Sequence, residues 1–352
     1  MWSWASNLRI GIIGAGISLL VLGGAYFYAT SSDSPQILVS RFLVAGDNGS
    51  LYLFSGRALS QIPTPTRADL THVGWRHDGS YALITMTKNV LLKYDGTSLS
   101  EVETGLPPNV WLYSVTWKPD DSEALISGSN GTILSFNGHD FTRVPVAFNG
   151  TIRAAEWNPA GQRALLVGDD GFVADYNGTG LKIIPSPTNN TLFTVDWNPT
   201  GAYALIGGAW ATLLRFQDDR VFSIFTLFLF GYNAHDAHWI SDISFNNQTG
   251  YALIVGHKGL TILYLDGSLQ RTRDYINMTG QDDDLHHIGH FYGVSWIPRT
   301  SFAYAVGEDG SVALIRLVSN TRGLVPHTYY SVTVREIFRG NPETSFKSIA
   351  SF

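Results

Sequence analysis

Histidine and aspartate, the side chains of this chain best suited to bind a metal ion, concentrate in two segments. Residues 234–239 read AHDAHW and residues 281–290 read QDDDLHHIGH. Together they contain four aspartates and five of the ten histidines, namely His235, His238, His286, His287 and His290. Imidazole and carboxylate are the ligands for copper or zinc that remain in a chain without cysteine. The sequence therefore predicts a divalent-metal site, although no strict ligand spacing such as His-Glu-x-x-His occurs. The alternative is a pair of solvated polar loops that hydrogen-bond locally or contact a partner.

A strongly apolar run, VFSIFTLFLF over residues 221–230, precedes the first of these segments. Ten residues are too few to span a bilayer as a helix. Two interpretations remain open: a buried strand with its loop, or an exposed patch that contacts the bilayer or a membrane subunit. In the second interpretation the contact residues are Val221, Phe222, Phe225, Phe228 and Phe230.

Motifs of known enzyme classes are missing from the sequence. It contains neither a Gly-x-Ser-x-Gly elbow nor a phosphate-binding loop, and a chain without cysteine has no disulfides and no thiol nucleophile. The net charge is −6, without the basic stripe that nucleic-acid binding requires. We therefore expect a protein that is not an enzyme, has no nucleic-acid partner and needs no cofactor apart from the divalent metal considered above.

A repeat of about 40 residues positions these segments. Its marker is an aromatic residue that recurs at intervals of 42, 40, 40, 48 and 51 residues, as Trp75, Trp117, Trp157, Trp197, Phe245 and Trp296. A turn follows, usually with Pro or Gly, and then an apolar strand, a glycine-containing hairpin and two further short strands. A seventh copy begins at Phe42 and lacks the strand with the marker.

Four short strands repeated every 40 residues are typical of propeller blades. One such sheet cannot bury both of its faces, so blades must stack around an axis with the marker aromatics between them. We predict an all-β, seven-bladed β-propeller over residues 42–340, with six blades as the alternative. The strand at residues 329–337 is expected to close the ring, which leaves residues 341–352 as a C-terminal tail. Both His-containing insertions should emerge on one face.

The stretch from Val115 to Phe136 resembles the WD-repeat family in its order of inner strand, Pro-containing turn, small-residue strand and glycine hairpin. The resemblance covers roughly residues 42–320, but the Trp-Asp dipeptide and the Gly-His pair of that family are absent. It implies propeller architecture and a general role as an interaction platform.

The N-terminal segment LRIGIIGAGISLLVLGGAYFYA, residues 8–29, contains a single charge at Arg9. As a helix, residues 10–29 would be about 30 Å long, which matches a bilayer core. We predict a cytoplasmic N-terminus at 1–8, a transmembrane signal-anchor helix at 9–30 and a linker at 31–41. The positive-inside rule then places the propeller on the extracytoplasmic side of the plasma membrane. A cleaved signal peptide is the alternative. Close packing against another membrane helix would use the small residues Gly11, Gly14, Ala15 and Ser18.

Asn-x-Ser/Thr sequons agree with export. They begin at Asn48, Asn130, Asn149, Asn177, Asn189, Asn247 and Asn277. The same letters also arise from turns, so we expect some to carry glycans and others to be only turns.

These features together indicate a non-catalytic accessory or scaffold subunit of a membrane protein complex. Its partners would be other membrane subunits, reached through the transmembrane helix and the propeller loops, and the lipid bilayer. One alternative is a copper- or zinc-binding surface protein or metal-dependent enzyme that uses the His-containing loops. Another is a stand-alone envelope glycoprotein.

Overall fold

Seven antiparallel sheets form the body of the protein. The computed structural model describes residues 18–22, 25–29, 42–54, 59–224, 239–265, 267–271, 274–276, 289–322, 327–338 and 344–351. Each sheet has four strands, except one with five. We number these sheets as blades 1 to 7 and their strands from the axis outward.

The strands of the first four blades are nearly uniform. Blade 1 contains Phe346–Ser351, Phe42–Gly46, Leu51–Phe54 and Leu59–Gln61. Blade 2 contains Leu70–Trp75, Ala82–Met86, Val90–Tyr94 and Leu99–Glu103. Blade 3 contains Leu112–Trp117, Ala124–Gly128, Thr132–Phe136 and Phe141–Arg143. Blade 4 contains Ile152–Trp157, Ala164–Gly168, Val173–Tyr176 and Leu181–Ile183.

The remaining blades end with an enlarged seventh. Blade 5 contains Leu192–Trp197, Ala204–Gly208, Leu213–Gln217 and Arg220–Ser223. Blade 6 contains Ile240–Phe245, Ala252–Gly256, Thr261–Leu265 and Ser268–Arg271. Blade 7 contains Phe291–Trp296, Phe302–Gly307, Val312–Arg322 and His327–Phe338, with Asp274–Ile276 added in parallel at its outer edge. Single 3-10 turns lie at Asp47–Gly49, Asp169–Gly171, His257–Gly259 and Glu308–Gly310.

The hydrophobic core lies between the blades, as predicted. Seven clusters of buried side chains each join two neighbouring blades, and together they complete the circle. The marker aromatics lie in these clusters and are between 3% exposed, at Trp117 and Trp157, and 9% exposed, at Trp75. Fully burying one such ring stabilises the fold by roughly 1.5–3 kcal/mol, so the interfaces between blades supply much of the driving force.

The ring closes through a strand that the sequence analysis assigned to the tail. Phe346–Ser351 pairs antiparallel with Phe42–Gly46 and is the innermost strand of blade 1. Without it, the inner edge of Phe42–Gly46 would have unpaired backbone groups. The predicted closing strand at 329–337 belongs instead to blade 7, where it pairs with Val312–Arg322. The seven-bladed prediction is confirmed, whereas the propeller boundary at 340 and the choice of closing strand are wrong.

At the N-terminus the structure describes two short strands where the sequence predicts a helix. Ser18–Leu22 and Ala25–Ala29 pair antiparallel, with Leu22 opposite Ala25. Val, Tyr and Phe in these segments favour strands, and the sequence Gly-Gly between them is a preferred hairpin link. Among the residues that the structure describes, no helix is both long enough and apolar enough to cross a bilayer.

Candidate functional site

A β-bulge at the same place in every blade shapes the inner end of the propeller. In blade 4, Ile152 pairs with Gly168 and Ala154 pairs with Val167, so Arg153 between them is left without a partner. Bulges of this kind re-aim a side chain, here towards the axis. The equivalent residues of the seven blades, which we call the mouth ring, are Thr71, Tyr113, Arg153, Phe193, Ser241, Tyr292 and Lys347.

Glycine opposite the bulge allows the backbones of the first and second strands to approach each other closely. Six blades have it, as Gly46, Gly128, Gly168, Gly208, Gly256 and Gly307. A Cβ on Gly168 would collide with the carbonyl oxygen of Thr151 and lie 3.0 Å from Ile152 Cα. Since these obstacles are backbone atoms, no side-chain rotation relieves the contact.

All mouth-ring residues line a cavity of about 930 Å³. Residues further along the first strands form two deeper tiers, most of whose members also line the cavity. The second tier is His72, Ser114, Ala154, Thr194, Asp242, Gly293 and Ser348. The third is Gly74, Thr116, Glu156, Asp196, Ser244, Ser295 and Ala350. The volume is in the range of sites that hold small molecules or individual side chains of a partner.

The tiers also hold neighbouring blades together. The inner edge of each first strand has backbone N–H groups that the sheet does not use. Val73 N donates to Ser348 Oγ at 3.3 Å, and Val294 N donates to Asp242 Oδ2 at 2.8 Å. Carboxylate acceptors give the shorter bonds because the charge strengthens them. The same side chains therefore line the cavity and join neighbouring blades.

Three acidic residues on consecutive blades line the cavity: Glu156, Asp196 and Asp242. Thr116 Oγ1 donates to Glu156 Oε2 at 3.1 Å, and Phe245 N donates to Asp196 Oδ2 at 2.7 Å. Each of the three is partly exposed to the cavity. Within the described part of the chain, none of them forms an ion pair.

Burial shifts the titration of these groups towards neutral pH. It raises the pKa of Asp196 to about 7 and that of Asp242 to about 6, although backbone N–H donors oppose the change. Burial, followed by repulsion from Asp196, raises the pKa of Glu156 well above its ordinary value. On the other side of the cavity, burial lowers the pKa of His72 to about 4, so its imidazole is neutral at pH 7.

Two cations at the mouth ring are held by aromatic rings and carboxylates. The Arg153 guanidinium lies 5.5 Å from the Tyr113 ring and 5.7 Å from the Phe193 ring, and its Nε is 2.6 Å from Asp169 Oδ1. Lys347 Nζ lies 4.1 Å from the Tyr292 ring. It is also 3.5 Å from Asp47 Oδ1.

Ring contacts continue between these two cations. Phe193 and Trp239 have ring centroids 6.1 Å apart, and those of Trp239 and His257 are 6.0 Å apart. His257 lies 4.0 Å from His290, which lies 6.2 Å from Tyr292. Together with the contacts of Arg153 and Lys347, they form a continuous arc from Tyr113 to Lys347, here called the rim arc.

Three exposed tryptophans occupy the same end of the propeller. The first strands begin there and the turns between second and third strands lie there, because the start of each first strand pairs with the end of the second. Trp111 and Trp239 immediately precede first strands, and Trp210 lies in the turn of blade 5. They are 49%, 43% and 64% exposed, respectively. We call this end of the molecule the mouth face.

Of the predicted metal ligands, only His290 lies within the described residues. Its Nδ1 is 3.5 Å from Glu308 Oε1, and its ring contacts His257. His235, His238, His286 and His287 lie outside the described residues. The described part of the chain contains no group of three or more His, Asp or Glu side chains spaced to hold a metal ion. The metal site stays a prediction.

The predicted apolar contact residues begin in a strand. Val221 and Phe222 belong to Arg220–Ser223, where Val221 packs against the cluster between blades 4 and 5 and Phe222 is 49% exposed. Phe225, Phe228 and Phe230 lie outside the described residues. So do Gly11, Gly14 and Ala15 of the predicted packing face, while Ser18 begins the first N-terminal strand.

Six of the seven sequon asparagines are described, and all six are exposed. Several of these asparagines also lie in turns, as expected: Asn130 has a positive φ of 56°, and Asn177 Oδ1 accepts a hydrogen bond from Gly180 N at 2.8 Å. Asn277 lies outside the described residues. Glycosylation stays a prediction.

Sequence reasoning missed the acids of the cavity because it assigned most acidic residues to turns. A signal was available in the aligned repeats. The positions one and three residues before the marker aromatic vary among polar, charged and small residues, while the position between them and the marker itself stay apolar. Such variation within an otherwise uniform repeat indicates a surface that is not part of the shared core.

Comparison with known proteins supports the fold and goes no further. Many solved structures match this chain, among them one propeller. It is described as "YCF48 bound to D1 peptide", and it matches with a TM-score of 0.58 and 15% identity over 79% of this chain and 88% of that chain. No protein-family model and no curated protein matches the sequence. At this identity the similarity concerns architecture, since propellers host many functions.

Proposed function

We propose that this protein is a non-catalytic scaffold that binds a partner protein through its mouth face. The observation that carries the proposal is the exposure of Trp111, Trp210 and Trp239 on that one face, beside the rim arc. Tryptophan is enriched among the residues that contribute most to protein–protein binding. Solvent exposure of several such rings on one side of a monomer is typical of an interaction surface.

The backbone at Trp210 supports the same conclusion. Trp210 and Ala211 both have φ of 56°, in the left-handed region. Asn48 and Asn130 occupy the equivalent first position in blades 1 and 3, each followed by glycine, and these residue types tolerate that conformation. A tryptophan held there costs of order 1 kcal/mol and places its ring in solvent. Strain of this kind is concentrated at functional positions.

We further propose that the apolar segment at residues 9–30 attaches the chain to a membrane, with the propeller outside and the partner a membrane subunit. The support is the single charge in that segment together with the exposed sequons. The structure of the similar propeller described as "YCF48 bound to D1 peptide" supports a partner that binds as a peptide segment.

The test is the native mass of the full chain extracted from its membrane in mild detergent. We expect a complex with stoichiometric partner, not the bare chain. Trp210→Asn should release the partner yet keep or raise the melting temperature, because asparagine relieves the left-handed strain. Ile183→Ser is the matched control, since Ile183 is 48% exposed on an outer strand. A bare monomer from the wild-type chain would overturn the proposal and favour the stand-alone glycoprotein.

A further inference from the structure

The cavity below the mouth ring has an excess of acidic over basic side chains. Five carboxylates line it, from Asp47, Asp69, Glu156, Asp196 and Asp242, against two cations, Arg153 and Lys347. Both cations are already paired at the rim, with Asp169 and Asp47. The three deeper acids therefore face the cavity without a positive partner in the part of the chain that the structure describes.

Glu156 has a carboxyl oxygen that is open to the cavity. Thr116 donates to its Oε2, whereas its Oε1 accepts no hydrogen bond from any described residue. Because this oxygen faces the cavity, a charged donor that enters the cavity can reach it and form a charge-assisted hydrogen bond. A donor on a flexible stem that enters from the mouth would satisfy this oxygen and supply the missing positive charge.

The approach to these acids suits an organic cation better than a metal ion. The described residues offer no cluster with ligand spacing for a metal. The rim arc instead places the rings of Tyr113, Phe193, Trp239 and Tyr292 near the opening, where Arg153 and Lys347 already lie against three of them. Aromatic faces attract ammonium and guanidinium groups and pack against their methylene stems.

We propose that the cavity receives a lysine or arginine side chain from an extended segment of the partner protein, whose cation pairs with Glu156, Asp196 and Asp242. The inference rests on the scaffold function proposed above and names the chemistry of the partner. The segment lies across the rim arc while its basic side chain follows the axis inward. Charge complementarity selects this occupant, since an acidic segment would meet five carboxylates.

Binding of such a cation depends on pH. The pKa of Asp196 at about 7 and of Asp242 at about 6 means that both lose charge as the pH falls towards 5. The other charged or titratable groups around the cavity are Asp47, Asp69, His72, Tyr113, Arg153, Glu156, Tyr292 and Lys347. Lysine itself stays protonated over this range. Affinity should therefore fall about tenfold or more between about pH 8 and about pH 5.5.

Calorimetric titration of the full chain with acetylated, amidated trilysine, at about 0.15 M salt to screen surface charge, tests the inference. We expect one-to-one binding of trilysine and none of triglutamine. Asp196→Asn and Glu156→Gln should each weaken trilysine binding several-fold, and the glutamine keeps the acceptor that Thr116 needs. Asp140→Asn, at an exposed turn on the opposite face, is the control and should change nothing.

Equal affinity of trilysine for the wild-type chain and for Glu156→Gln, together with no change between the two pH values, would overturn the inference. The pH titration needs no variant, so it decides even where a substitution impairs folding. If the partner complex still forms under those results, the scaffold function stands and only the basic occupant is wrong.

Discussion

The substitution Gly168→Ala tests the close approach that places Arg153 at the mouth. Gly168 lies opposite the bulge of blade 4 in extended backbone, with φ of −172°. Its φ is accessible to alanine, so any cost comes from contact alone. The new Cβ would meet Ile152 Cα at 3.0 Å and Thr151 C at 3.1 Å, and it would overlap the Thr151 carbonyl oxygen.

Relief requires the two strands to separate, because every atom that the Cβ meets belongs to the backbone. Ordinary contacts of a Cβ begin at 3.4 Å, so the strands must move by several tenths of an ångström or more. Overpacking of this kind costs about 1–3 kcal/mol. For a domain of this size each kcal/mol lowers the melting temperature by about 2–4 °C, so we expect a decrease of roughly 2–12 °C.

Thermal and urea unfolding of the purified chain measure this effect. Gly180→Ala is the matched control, because its Cβ would meet only Asn177 Oδ1 at 3.9 Å, and its stability should stay within about 0.5 kcal/mol of wild type. Movement of the bulge should also weaken partner binding through Arg153. If Gly168→Ala is as stable as the control, the assigned bulge and the mouth ring built on it are wrong.

Three further predictions concern the core, the acids and the closure of the ring. Trp197→Phe should cost about 1 kcal/mol more than Trp157→Phe by urea unfolding, because the Trp197 Nε1 donates to Glu156 O of the preceding blade at 3.1 Å, while that of Trp157 is buried with no hydrogen-bond partner among the described residues; equal costs would contradict this. Because burial raises the pKa of Asp196 to about 7 and of Asp242 to about 6, the folded state binds protons more tightly than the unfolded chain. Their contribution to stability is therefore lost as the pH rises from about 4 to about 7. If the wild-type melting temperature, compared with that of Asp196→Asn, rises over this window, the prediction is refuted. Phe346→Ala, at a side chain 1% exposed, should lower the free energy of unfolding by about 3–5 kcal/mol, whereas a change below 1 kcal/mol would exclude its strand from the ring.

The repeat predicted most of the fold because the marker aromatic has the same physical task in each blade. Trp117, Trp157 and Trp197 all fill the space between neighbouring blades, and their spacing gave the period. The closing strand could not be found in this way. Ser351 occupies the position of the marker aromatic there, and the residues at 329–337, which read as a strand, extend blade 7.

The candidate site was harder to predict because its residues come from different blades and meet only at the axis of the ring. Glu156 and Asp242 stand at different positions in their repeats, one and three residues before the marker aromatic. Only the assembled circle brings such residues from consecutive blades to one cavity. The metal prediction rested only on histidines close together in the sequence, and of these the described residues include His290 alone, which belongs to the rim arc between His257 and Tyr292.

Photo-crosslinking in intact cells tests the central claim, that the mouth face is where a partner docks. A photoreactive residue replaces Trp210 on the mouth face in one sample and Asp140 on the opposite face in another. We predict one defined protein adduct, formed from position 210 and absent from position 140. Adducts of equal yield from both positions, or adducts from position 140 alone, would contradict the account.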